Sequence, residues 1–265
     1  MKFISIFILV ICTFTASAQS VSRIKQLLSA RDLVGFESCI DSARHLKTKA
    51  ETYIWVRSKL KRELCSPFQE LIVEFNENVY EEPKIGVSYI NHYRINVIIA
   101  YNQFAYYTLR KQIARGIEDE NAEMETIDSF KNDSAIDSLE VVFLQTYGAK
   151  LDWKELFVNR NIYGKWCGVA GSPPAMRKEL DTLLADKNQE VLTNWLKSPN
   201  VEKQVYAIDG FYQLKQNGYK QTGEQQKLID VIKKKKGQIN TCSGCFYESS
   251  WIDSTVTSII SGRDF

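Results

Sequence analysis

The chain has 265 residues, 44% apolar and 25% charged, with 13 Gly and 5 Pro. Those values exclude disordered, collagen-like and low-complexity classes. Lys and Arg number 34 against 32 Asp and Glu, so no whole-chain field exists to recruit nucleic acid or an anionic membrane.

The first segment has the three parts of a cleavable secretory leader: Lys2, an apolar run from Phe3 to Phe14, and the small-x-small site Ala16-Ser17-Ala18. The run is too short for the ~20 residues of a membrane-crossing helix. Cleavage after Ala18 is expected, giving a secreted or periplasmic protein of 247 residues with no transmembrane segment after signal cleavage. Ile11 before Cys12 is too bulky for a lipoprotein signal.

Residues 20–64 are expected to be helical: Ile24, Leu27 and Leu28 form one stripe, and Leu46, Ala50, Tyr53, Ile54, Leu60 and Leu64 roughly follow a second. The basic residues between them, Lys47, Lys49, Arg57, Lys59, Lys61 and Arg62, read as a solvated helix face. From residue 69 the period changes to two. Leu71, Val73 and Phe75 alternate with polar residues, and so do Tyr89, Tyr93, Ile95, Val97 and Ile99. An antiparallel meander of three or four strands is expected, with a turn or bulge at Asn91 and another turn after Tyr101. The tyrosines of this region suit ordinary sheet packing, with a ligand-stacking platform as the alternative.

Nine acids against the single base Lys131 between Glu118 and Glu140 suggest a self-repelling linker. They lack the loop grammar of a calcium site. Helical periodicity returns at Ile136, Leu139 and Phe143. Ser172-Pro173 reads as a helix start, Thr222 with Gln225 as a capping box, and Gly218 and Gly237 as helix ends. The expected architecture is α+β: a leader at 1–18, N-terminal helices with a small antiparallel sheet at 19–116, an acidic linker at 117–132 and an all-helical domain at 133–265.

Within that last part, Leu183-Leu184-Ala185-Asp186 before Glu190-Val191, and Ser198-Pro199-Asn200 before Val205 and Ala207, resemble the turns and second helices of HEAT-type repeats. The resemblance spans residues 173–236 and lacks the family's basic residue after the valine. It implies stacked helix pairs and an interaction surface, and it carries no catalytic residue over.

Five cysteines remain after the leader: Cys39, Cys65, Cys167, Cys242 and Cys245. An odd number in an exported chain leaves at least one unpaired, bound to a ligand or joined between chains. Cys242-Ser243-Gly244-Cys245 is the candidate disulfide, with thiol-redox chemistry as the alternative use of the pair. A zinc site lacks two ligands, because His45 and His92 are the only histidines and lie far away in sequence. Cys167 matches no cysteine-protease signature. The lysine run 233–236 reads as a solvated helix end. No nucleophile elbow, zinc-protease motif or phosphate loop is present. The expectation is therefore a noncatalytic binding or structural module without metal or cofactor, its partner a protein or a glycan rather than nucleic acid. A carboxylate-dependent hydrolase acting on glycan is the other alternative, since paired acids leave no local signature.

Overall fold

Five strands form an antiparallel meander in the order β1-β2-β3-β4-β5: β1 (Thr52–Cys65), β2 (Phe68–Glu82), β3 (Val87–Ala100), β4 (Gln103–Gln112) and β5 (Met124–Lys131). The computed structural model describes residues 21–43, 52–82, 87–113, 123–157, 161–168 and 171–262. The expected leader, with its cleavage site, and His45 lie outside the described residues.

One face of the sheet is covered by α1 (Val21–Ser29) and α2 (Leu33–Ala43). Ile24, Leu28, Phe36 and Ile40 pack there on Leu71, Val73, Phe75, Ile95, Val97 and Leu109. The period-two reading of β2 and β3 is thus the pleat itself, with alternate residues driven into this core by their apolar area. β3 runs unbroken through Asn91, which pairs with Glu77 and donates to its carboxylate at 3.0 Å. A polar residue on the apolar parity suggests a break; a cross-strand partner removes the need for one. The turn after Ala100 forms as expected, with Tyr101 and Asn102 both at positive φ, the geometry that lets a two-residue hairpin follow the strands' twist.

Of the helix expected over Leu46–Leu64, residues 46–51 lie outside the described residues and the rest is instead β1, where Ile54, Val56, Leu60, Arg62 and Leu64 are buried. A register shift between Val56 and Ser58 switches faces: Val56 sits opposite Phe75, Ser58 opposite Glu74. Even-numbered residues before the bulge, Ile54 and Val56, therefore feed the α1–α2 core, and those after it, from Ser58 to Leu64, turn to the opposite face. The described part of the basic cluster is no solvated helix face, and Lys47 and Lys49 lie outside the described residues. Lys59 and Lys61 reach Asp41 and Glu37 of α2 at 2.7 and 2.8 Å, while Arg62 is buried.

The acidic stretch is also more structured than a linker, since Met124–Lys131 is the edge strand β5. Ile127 and Phe130 pack on the α1–α2 core, and Asp128 accepts from the Tyr107 hydroxyl at 3.4 Å. Ladder hydrogen bonds and two apolar anchors offset the repulsion of acids that an edge strand keeps in water.

The second half contains α3 (Asp133–Tyr147), α4 (Trp153–Phe157), α5 (Ala175–Ala185), α6 (Gln189–Leu196), α7 (Val201–Gln216), α8 (Gly223–Lys233) and α9 (Ile252–Ile260). It is not all-helical, because β6 (Gln238–Ser243) and β7 (Phe246–Trp251) form a separate hairpin. Several local signals hold. Thr222 and Gln225 form the capping box and Asn200 caps α7, whereas Ser172 bonds Cys167 instead of capping α5. Eleven of the sixteen residues of α7 are buried. The helix is buried on nearly all sides because α5, α6, α8, α9 and β6 surround it. Helices gathered round a central one differ from repeat pairs, which touch only their sequence neighbours. This second core takes in one end of the sheet through Leu64, Phe68, Ile98 and Ala105.

Candidate functional site

Away from that end, the sheet face opposite α1 and α2 is polar and only partly roofed. Directly opposed residues share a face, and the register builds three cross-strand rows. The first is Ser58, Glu74, Arg94, Arg110 and Thr126; the second is Leu60, Ile72, Asn96, Thr108 and Ser129; the third is Arg62, Glu70, Ile98, Tyr106 and Lys131. Arg62, Glu70, Arg94 and Asn96 among them are buried, with Arg94 6% and Asn96 0% exposed, while Thr126, Ser129 and Lys131 at the β5 edge are exposed.

The floor is cross-linked. Ser58 donates to Glu74 at 3.3 Å, Arg94 Nε lies 3.8 Å from the same carboxylate, and Arg94 Nε donates to Asn96 Oδ1 at 3.1 Å. Arg62 Nε donates to Glu70 at 2.8 Å, and its Nη1 reaches both oxygens of Glu202 on α7 at 2.7 Å. Glu202 also accepts the Asn240 N–H of β6 at 3.0 Å. This fully buried triad ties together sheet, central helix and hairpin. Burial disfavours the Arg62 guanidinium, but the two carboxylates outweigh it and push its pKa up. Burial also pushes the Glu70 carboxyl up, against the pull of Arg62.

Two hollows open over this floor. One, of about 360 Å³, lies between the bulged part of β1 and the β6–β7 hairpin, with Arg57, Glu74 and Arg94 on the sheet side and Asn161, Thr241, Tyr247 and Glu248 opposite. The other, of about 370 Å³, lies over β4 and β5 beside α4 and is lined by Asn96, Tyr106, Thr108, Arg110, Thr126, Lys131, Trp153, Lys154 and Phe157. Both are within the size range of small-ligand sites. Their lining carries Arg57, Lys59, Arg62, Arg94, Arg110, Lys131 and Lys154 against Glu74, Glu202 and Glu248, so the cleft is basic in a chain that is nearly neutral overall.

The hairpin wall is held tightly. Gly237 bridges to Arg62 at φ +104°, and a Cβ there would lie 2.4 Å from the Arg62 Cα, so only glycine allows the approach. Tyr163 and Trp166 bond along β6, making 163–168 a partial third strand beside the hairpin.

The cysteines do not pair as the C-x-x-C spacing suggests. Cys242 forms its disulfide with Cys167, across 75 residues, while Cys245 is an exposed free thiol in the turn between β6 and β7. Cys242 points into the 163–168 segment, where Gly164 packs against its sulfur; Cys245 sits at the hairpin tip and points to solvent. Cys39 is half-buried and Cys65 is buried, with desolvation pushing the Cys65 thiol up to about 12. In the native protein a maleimide is therefore expected to modify Cys245 first and to reach Cys65 only after unfolding; peptide mapping of a brief labelling reaction checks this order.

Among the described residues, no three His, Cys, Asp or Glu side chains are grouped to hold a metal ion, and no helix is long and apolar enough to cross a membrane. His92 faces Asn76 on β2, with Nδ1 2.8 Å from its Oδ1.

Several site residues escaped the sequence reading. Arg62 appeared as a surface base, while Glu70 and Glu202 carried no signal at all. Within the lysine run, Lys235 is not solvated: it is 2% exposed, its Nζ has no hydrogen-bond partner, and that nitrogen lies 5.1 Å over the Tyr147 ring. Of the tyrosines considered as a platform, Tyr93 and Tyr107 are packed in the α1–α2 core; Tyr106 alone reaches the cleft from the opposite parity. No family model matches the chain, and neither a curated protein nor a solved structure is found similar to it.

Proposed function

We propose that this protein is an exported, noncatalytic binding module that holds an acidic glycan along the polar face of its five-stranded sheet. The observation that carries the reading is the floor itself: arginines, an asparagine and threonines in register across the strands, with Arg94 and Asn96 buried at the base of two hollows and Thr126 exposed at the β5 edge. Excess cations suit carboxylate or sulfate groups, and the amide and hydroxyls suit sugar hydroxyls. Two of the three acids of the cleft are already engaged, Glu74 with Ser58 and Arg94, and Glu202 with Arg62 and the Asn240 N–H, while Glu248 is exposed on the hairpin wall. That favours holding a ligand over proton transfer. The leader pattern and the Cys167–Cys242 disulfide support export to an oxidising compartment.

Calorimetry of the mature chain against polygalacturonate and against neutral dextran tests the proposal. Binding of the acidic polymer alone is expected, weakening steeply as salt rises to about 0.15 M and charges become screened. R94A, at the centre of the floor, is expected to weaken it at least about tenfold, the loss of one charge-assisted contact. Equal binding of dextran, no binding at low salt, or release of new reducing ends from the glycan each removes the reading.

A further inference from the structure

The hollow beside α4 differs from the rest of the cleft in having an aromatic wall. Tyr106 and Phe157 stack with ring centroids 5.2 Å apart, and Trp153 lies 5.5 Å from Tyr106 and 5.6 Å from Phe157. The indole is oriented by its Nε1–H, which donates to Glu140 of α3 at 3.1 Å. Lys154, exposed, and Lys131, which also pairs with Asp133 at 2.8 Å, stand at the rim.

A second feature lies at the bottom. Asn96 is fully buried and lines this hollow, its Oδ1 is taken by Arg94, and its Nδ2 has no hydrogen-bond partner. A buried donor without a partner at the edge of a cavity needs a polar group, water or ligand, to satisfy it.

We infer that this hollow is the subsite for the carboxylate-bearing sugar ring of the ligand, with the pyranose lying on the Trp153–Tyr106 wall. This rests on the glycan-binding reading above. The apolar C–H face of a pyranose fits an aromatic surface, as a large rigid apolar area that needs no hydrogen bonds. Its hydroxyls then meet the Asn96 amide and the Thr108 and Thr126 hydroxyls, while the carboxylate meets the lysines at the rim. A flat aromatic acid would use the wall and the lysines but would leave the Asn96 donor unpaired, so the floor favours the sugar.

The test titrates a galacturonate trimer into the mature chain and reads binding by calorimetry, with a neutral galactose trimer and benzoate as controls. The acidic trimer is expected to bind at least about tenfold more tightly than either control. W153A and K154E are each expected to weaken it at least about tenfold, with W153F retaining most of the affinity. Lys154 is exposed and outside both cores, so K154E keeps the subsite testable even if W153A disturbs the packing around α4. If wild type binds the acidic trimer and K154E and a folded W153A bind it equally well, the subsite is wrong while the function stands. Benzoate or the neutral trimer binding as tightly as the acidic one overturns the uronate assignment. If no acidic glycan binds wild type at all, the function itself fails and the subsite with it.

Discussion

Replacing Arg62 with alanine is expected to destabilise the protein by about 3–5 kcal/mol, the cost of removing one partner from a buried ion pair. Glu70 and Glu202 are each 1% exposed, so R62A leaves two carboxylates facing each other out of reach of water. The Asn240 N–H keeps Glu202 as its acceptor, but the hairpin loses the charge that holds Glu202 in place. Denaturant melts at neutral pH measure the loss. Acid is expected to recover part of it, since protonation of the stranded carboxyls removes their repulsion and Glu70 already titrates above the ordinary carboxylate range. The combined R62M, E70L, E202L variant is expected to be far less damaged than R62A alone, because replacing a buried ionic group with apolar residues avoids the uncompensated charge. A neutral R62A with unchanged melts would show that the triad contributes nothing to the joint between sheet and α7.

The second large effect runs the other way: K235M is expected to raise stability by about 1–3 kcal/mol at neutral pH. Lys235 follows the end of α8, with its ammonium among Cys65, Arg62, Glu63, Glu70 and the Tyr147 ring, and burial lowers its pKa to about 7. Methionine keeps the flexible apolar stem and removes the desolvated charge. The sign of the pH dependence follows from proton counting. Between about pH 7 and the ordinary lysine value of 10.5, the unfolded chain holds a proton on this side chain that the folded chain does not. Lys235 therefore makes wild-type stability rise with pH across that window, and its full penalty is present below pH 7. Stability curves of wild type and K235M should differ most at the acid end and converge toward pH 10.5. A gap that stays constant from pH 6 to 10 rules out titration of Lys235 as its cause.

These two sites also show where local reading stops. The β2 and β3 alternation, the turn at Tyr101-Asn102, the Thr222–Gln225 box and the stripes of α1 and α3 were legible because each depends on neighbours within a turn or a pleat. β1 was misread because its charged residues fit a helical template, while the bulge between Val56 and Ser58 is visible only against β2. The edge strand β5 was hidden by its acids, and β6–β7 by its short length and its polar, exposed second strand.

What the sequence by itself determined is the α+β mixture, most apolar faces and the chemical inventory of thiols, acids and bases. Tertiary structure alone decided which charges are interior. Arg62 meets Glu202 across 140 positions, and a charged side chain reads as surface until a distant counter-charge is folded against it. The disulfide followed the same rule. Cys242 has Cys245 three residues away, yet its sulfur points into the segment that brings Cys167 from 75 residues earlier. The basic cleft is likewise a product of register, since only strand pairing sets Arg94, Asn96 and Arg110 side by side on one face.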